Sequence, residues 1–194
     1  MSSSTRWRPF RLVKDVDARE WYTTGVDKRA WYDARFGAAR VASFEPRLRA
    51  AFARAGIESP YSLEGNTGDT LSGHRLAVYA TATGGEPAAN AFMEAIMRRY
   101  FCEARAPCDH EALLESAREA NLDVDEARRV LSDEDAYAAD VERDLAKYAS
   151  GVSGVPFFII AHGERKLTLS GAQPPEAFAE AFAELLGEDV ALAD

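Results

Sequence analysis

The character of the chain changes at Gly151-Val152-Ser153-Gly154-Val155-Pro156-Phe157-Phe158-Ile159-Ile160. Two glycines and a proline stand before four consecutive large apolar residues, two of them aromatic and two β-branched. A short apolar run bounded by Gly and Pro is typical of a strand whose two faces are both covered by other elements. The pattern therefore predicts a buried β-strand that ends near Ile160.

The residues after this strand predict a hairpin and a final helix. The sequence His162-Gly163-Glu164-Arg165 is suited to a turn, and Leu167 and Leu169 then alternate with polar residues, as in a second strand. Pro174-Pro175 comes before an amphipathic helical pattern, which Gly187 ends. We therefore expect strand, strand and helix over residues 151–187.

The residues before Gly151 carry mainly helical patterns. Apolar residues recur at every fourth position in Phe92, Ile96 and Tyr100. Asp109 and Asp123 are each suited to cap the start of a helix, and Ser132 is expected to cap a longer one. These patterns predict a mostly helical block over residues 27–150.

The N-terminal segment Trp7-Arg8-Pro9-Phe10-Arg11-Leu12-Val13 alternates large apolar and basic residues. Such alternation predicts a strand, and Pro9 places it at an edge of the sheet or at the entry to the strand, because proline has no N–H to donate. The expected order is therefore strand, helical block, hairpin and terminal helix. This order defines an α/β fold class.

This order and two motifs resemble the DsbA-like thioredoxin-fold family, in its FrnE-like dithiol–disulfide isomerase branch. The motifs are Gly-Val-Pro-Phe-Phe at residues 154–158 and Ser-Gly-Ala-Gln-Pro at residues 170–174. Shorter similarities lie at Trp7-Arg8-Pro9-Phe10, Asn66-Thr67, His74-Arg75-Leu76 and Tyr100-Phe101. The resemblance implies one thioredoxin domain over residues 1–194, with a thioredoxin-like sheet that is incomplete at the N-terminus and a large helical insertion.

The resemblance also implies a substrate-binding site. Val155 and Pro156 correspond to the family's cis-proline loop, where the Val155 backbone pairs with an extended thiol or peptide substrate. The alternative is that Pro156 simply opens a strand. Separately from the resemblance, the residue types make His74 and Arg75 candidates for holding a substrate carboxylate, and the favoured alternative is that His74 is a structural histidine of a helix.

The family carries a Cys-Pro-x-Cys motif at the start of a helix, whose positive end stabilises a thiolate. This sequence has only Cys102 and Cys108, and their spacing fits neither that motif nor a zinc knuckle. We therefore expect no catalytic cysteine pair, no metal and no cofactor. The alternatives are a local disulfide, a metal site that includes His110, and a non-catalytic module that binds a peptide or glutathione.

The resemblance implies a further strand between the strand of residues 7–13 and that of residues 157–160. Without this further strand, each of the two strands that would flank it has an unpaired edge. We therefore expect either self-association through these edges as a homodimer or direct pairing of the two strands with each other. An aromatic group, Trp21, Tyr22, Trp31 and Tyr32, either lines a peptide groove or covers the helical core.

The net charge of −9 and the pI near 4.9 disfavour a nucleic-acid partner and an anionic membrane, because both require a basic face. No stretch approaches the ~20 apolar residues that span a bilayer. The expected location is cytoplasmic. The expected partner is a thiol or peptide substrate.

Overall fold

A computed structural model describes residues 4–13 and 16–187. The chain forms two compact units, Met1–Lys147 and Tyr148–Asp194. The elements in chain order are α1 (Arg19–Thr23), β1 (Val26–Asp27), α2 (Lys28–Phe36), α3 (Ala38–Arg54), β2 (Asn66–Thr67), α4 (Leu71–Cys102), α5 (His110–Glu119), α6 (Val124–Ser132), α7 (Ala138–Tyr148), β3 (Phe157–His162), β4 (Arg165–Ser170) and α8 (Pro175–Leu186). The mostly helical content that the sequence predicts before Gly151 is confirmed.

The main core of the first unit lies where α4 packs against α5 and α6. Phe92 of α4 and Leu113 of α5 are both fully buried there. The caps of the two shorter helices are as predicted: the Asp109 carboxylate accepts from Glu111 N and Ala112 N in the first turn of α5, and that of Asp123 accepts from Glu126 N. These bonds satisfy donors that would otherwise lack partners at a helix start.

Helix α4 is interrupted near its middle. Gly85 has φ 68° and ψ −164°, a conformation outside the helical region, and Pro87 follows it. Glycine adopts a positive φ without the penalty that a Cβ imposes. The second half of α4 therefore begins just after Gly85, with Pro87 in its first turn.

A second apolar cluster of the first unit joins α3 to the loop before β2. Val41, Tyr61 and Leu63 are buried in it, and Phe52 and Phe101 pack around them. The rings of Tyr61 and Phe52 lie 5.6 Å apart, edge to face. This cluster holds α2 and α3 near the C-terminal end of α4.

The second unit contains the predicted hairpin. Phe158 pairs with Leu169 and Ile160 with Leu167, antiparallel, so the predicted pairing is confirmed. The Phe158 ring packs against Phe178 of α8 at 4.8 Å. The expectation that both faces of this sheet are covered is wrong: Ile159 is 48% exposed, because α8 packs on the face that carries Phe158 and not on the opposite one.

Two other predictions are wrong. Residues 7–13 form no strand, and in the described residues the strands pair only as β1–β2 and β3–β4. This segment is held instead by side chains: Trp7 Nε1 donates to Asn90 Oδ1 at 2.7 Å, and Arg8 pairs with Asp144. Ser132 does not cap α7; it ends α6, and its hydroxyl donates to Arg128 O.

Candidate functional site

The loop before β3 exposes backbone to solvent. Val155 is 51% exposed and Pro156 is also exposed, and the peptide bond between them is cis. The Pro156 carbonyl accepts a hydrogen bond from Gly171 N at 2.8 Å. Among the described residues the backbone N–H and C=O of Val155 have no hydrogen-bond partner. This loop therefore presents one free donor and one free acceptor beside the first residue of a strand.

Strand β3 continues this surface. Within the part of the chain that the structure describes, β3 pairs with β4 on one side and with no strand on the other. An extended chain can add to such an edge through main-chain hydrogen bonds. The Val155 backbone and the β3 edge thus form one candidate docking edge.

His74 lies near the start of α4. Its Nε2 is 3.2 Å from the Phe10 carbonyl oxygen and 3.3 Å from Thr70 Oγ1. Burial lowers the pKa of His74, so the ring is neutral at pH 7 and Nε2 carries the hydrogen that the Phe10 carbonyl accepts. These contacts favour the structural alternative, in which His74 ties the N-terminal segment to α4.

Arg75 is almost fully buried, with 3% of its surface exposed. Its Nη1 donates to the carbonyls of Val130 and Asp133, both at 2.6 Å, and to that of Ala136 at 3.2 Å. Carbonyls at the end of a helix otherwise lack partners. Arg75 therefore closes the end of α6, which favours a structural role over carboxylate binding. His74 and Arg75 are adjacent in the first unit, whereas Val155 and Pro156 belong to the second.

Cys102 is the last residue of α4 and is half-buried. Burial, followed by the nearby Glu103 carboxylate, raises the pKa of this thiol. The C-terminal end of a helix carries partial negative charge, which also disfavours a thiolate. Cys102 thus lies at the helix end that disfavours a thiolate, whereas a reactive cysteine lies at the helix start.

Cys108 is 3% exposed, and burial raises the pKa of its thiol to about 11. It packs tightly on Gly68: a Cβ added at that glycine would lie 2.5 Å from the Cys108 Sγ. Both thiols are free, and no group of three or more metal-binding side chains occurs among residues 4–13 and 16–187. The geometry supports neither a metal site nor an activated thiol at these positions.

A buried lysine at the start of α2 is a feature that the sequence patterns do not indicate. Lys28 is 1% exposed, and its Nζ donates to Tyr100 O at 2.6 Å and to Ser62 O at 3.2 Å. The same Nζ lies 4.1 Å from the centre of the Tyr100 ring. Burial lowers the pKa of Lys28 to about 8, against a smaller opposing effect of Cys102. Its position as the first residue of a helix is the only sequence signal, and it does not distinguish Lys28 from an exposed lysine.

The Tyr100 hydroxyl extends this buried network, lying 3.0 Å from the Tyr32 hydroxyl and 2.9 Å from Thr67 Oγ1.

The aromatic residues near the N-terminus divide between the core and the surface. Trp21 is buried, and its ring centre lies 5.4 Å from that of Trp31, so the Trp21 contacts favour the core role predicted as one of two alternatives. Tyr22, 43% exposed, borders an open cleft of about 700 Å³ together with Asn66, Arg105 and His110. Arg105 is already paired with Asp109 and Glu115.

The strand–strand–helix unit follows a cis-proline loop, and a helical unit precedes it, which is the order expected of a thioredoxin-type protein with a helical insertion. The DSBA-like thioredoxin domain family matches residues 3–183, and the chain belongs to this family. The fold class and the DsbA-like resemblance expected from the sequence are thereby confirmed.

A solved structure supports the same assignment. The chain is similar to a probable DsbA oxidoreductase from Streptomyces coelicolor, with 32% sequence identity and a TM-score of 0.71, over 86% of this chain and 70% of that one. Comparison with curated proteins gave no match. None of the helices formed by residues 4–13 and 16–187 combines the length and the apolar character that a membrane span requires.

Proposed function

We propose that this DsbA-family protein binds an extended thiol-containing peptide along the Val155 backbone and the β3 edge, and that its two cysteines do not perform dithiol–disulfide exchange. The observation that carries the first half is the exposed Val155, whose backbone N–H and C=O lack partners among the described residues. A peptide strand would satisfy both groups without any movement of the protein.

The state of the two thiols supports the second half. Exchange requires a thiolate that is accessible to a substrate disulfide. Cys108 is buried and has a pKa of about 11, and Cys102 stands at a helix C-terminus with a raised pKa. Neither combines accessibility with a stabilised anion.

The redox half is tested with an insulin-reduction assay on the purified protein and on its Cys102→Ser, Cys108→Ser variant. We expect turnover no greater than that of dithiothreitol alone for both proteins. Turnover that disappears in the double variant would refute the proposal, because the two cysteines would then be the reacting groups. Turnover that persists in the double variant would indicate chemistry of another kind at this chain.

The binding half is tested with a labelled extended peptide that contains one blocked cysteine. Val155→Pro removes the backbone N–H, and we expect it to weaken peptide binding about tenfold, since one hydrogen bond to an otherwise unpaired group contributes roughly 1 kcal/mol or more. Val155→Ala keeps that N–H and serves as the matched control. Equal affinity for the two variants would contradict backbone docking at this position.

Glutathione is the second candidate ligand, since it is a short thiol-containing peptide whose backbone could pair with the same exposed groups of Val155. Competition decides between the two: if glutathione displaces the labelled peptide only at a large excess, the longer chain is the preferred ligand.

We also expect the protein to self-associate through the β3 edge, which light scattering at micromolar concentration measures. A second copy and a peptide would compete for the same edge, so dimer formation would weaken peptide binding.

A further inference from the structure

The charge of the first unit is strongly uneven. Residues 28–54, which form α2 and α3, contain seven basic and two acidic residues, a net charge of +5. Since the whole chain carries −9, the remainder carries −14. One helical hairpin of an acidic protein is therefore basic, and the overall charge conceals it.

Three of these basic residues form a row on α3. Arg40, Arg47 and Arg54 are each separated by seven residues, and all three are exposed. Seven residues are close to two helical turns, so the three side chains lie on one side of the helix, over about 21 Å. We call this row the Arg face.

The Arg face has no local counter-charge. Among the described residues none of its three guanidinium groups forms an ion pair. Glu45 is the one acidic residue of α3, and its carboxylate is already shared by Arg29 at 2.5 Å and Arg49 at 3.3 Å. Other arginines of the first unit, such as Arg98 and Arg105, do have carboxylate partners. The excess positive charge is thus concentrated on one side of one helix.

We propose that the Arg face binds an acidic polypeptide segment whose carboxylates repeat with the same seven-residue spacing. Each guanidinium presents a planar fork that matches a carboxylate. Nucleic acid and membrane surfaces extend well beyond 21 Å, and the net charge of −14 on the chain outside residues 28–54 repels such large anionic surfaces. A short acidic helix meets the Arg face alone. The proposal stands independently of peptide binding at Val155.

The test uses the full chain and a fluorescent helical peptide that carries glutamate at successive seventh positions. Each exposed charge pair raises the binding affinity by roughly a factor of two. The variant R40Q/R47Q/R54Q loses three such pairs, so it should bind the peptide about tenfold more weakly. Its matched control, R19Q/R118Q/K166Q, removes the same charge from dispersed exposed positions and should retain binding. A glutamine version of the peptide should also lose affinity. Circular dichroism verifies that the variants are folded.

A charge exchange provides a second measurement. The variant R40E/R47E/R54E should bind a peptide with lysine at the same positions, and the original protein should not. Equal loss of glutamate-peptide binding in both triple glutamine variants would overturn the proposal, since net charge alone would then explain it. Two other results also overturn it. One is that a double-stranded oligonucleotide binds to the Arg face more tightly than the glutamate peptide does. The other is that the original protein is a dimer in the absence of peptide and that the R40Q/R47Q/R54Q variant is a monomer, since the Arg face would then bind a second copy of the chain.

Discussion

Replacement of Lys28 by methionine should remove a specific rise in stability between pH 8 and pH 9. The buried Lys28 ammonium donates to the backbone carbonyls of Tyr100 and Ser62, and it forms no ion pair with a carboxylate of the described residues. Its pKa falls from 10.5 to about 8 on folding. Between these values the unfolded chain binds the proton and the folded protein does not. Stability therefore increases with pH in this range.

The size of the effect follows from the two pKa values. Between pH 8 and pH 9 the unfolded state holds on average about 0.7 more protons at Lys28 than the folded state, and one pKa unit corresponds to ~1.36 kcal/mol. The free energy of unfolding should thus rise by about 1 kcal/mol from this group. Cys108 acts in the opposite direction, because its folded pKa is raised to about 11. Cys108 is present in both the wild type and the variant, so its contribution cancels when their changes in the free energy of unfolding between pH 8 and pH 9 are subtracted.

Urea unfolding at pH 8 and pH 9 measures this difference. All three tryptophans, Trp7, Trp21 and Trp31, lie in the first unit, so their fluorescence reports the unit that contains Lys28. Both proteins should carry Cys102→Ser, because Lys28 and Cys102 influence each other's pKa. Lys166→Met, at an exposed position, is the control. Identical pH slopes for the Lys28→Met protein and its parent would refute the assignment of the titration to Lys28.

Three further predictions concern the first unit. Arg75→Met should destabilise it by about 3 kcal/mol, because three carbonyls near the end of α6 lose a charged donor, and should leave peptide binding at Val155 unchanged; urea unfolding and peptide titration check this. His74→Gln should abolish a loss of stability as pH falls below 6.5, since the unfolded histidine gains its proton first; melting curves from pH 7 to pH 5 measure it, and an unchanged acid profile argues against it. Gly68→Ala should cost about 2 kcal/mol, because the new Cβ would lie 2.7 Å from Trp21 O and 2.5 Å from the Cys108 Sγ, and it should accelerate labelling of Cys108 by a thiol reagent; unchanged labelling would contradict this packing.

Much of the local structure follows from short-range patterns. The caps at Asp109 and Asp123, the end of α8 at Gly187 and the hairpin of β3 and β4 are all readable from the sequence. Each depends on interactions within a few residues: a side chain that accepts from the next turn, a glycine with positive φ, a two-residue turn between alternating strands. The motif pairs at residues 154–158 and 170–174 also led to the correct family.

The failures occur where a partner distant in sequence decides the outcome. Residues 7–13 alternate like a strand, yet a strand requires a neighbour with free backbone groups. This segment instead meets Asn90, Asp144 and His74, residues more than 60 positions away, through side-chain contacts. Ile159 reads as a core residue, but its burial depends on whether a second layer covers that face of the hairpin.

The chain thus encodes its helices, its hairpin and its family membership locally, because capping, turn formation and periodicity act over one or two turns of backbone. The chemical state of its polar groups is a tertiary property. In the sequence Lys28 looks like an ordinary surface charge and Arg75 like a carboxylate-binding residue, and only folding places both among backbone carbonyls. Desolvation and long-range hydrogen bonds, which no local pattern specifies, then determine that Lys28 titrates near pH 8 and that Arg75 is committed to structure.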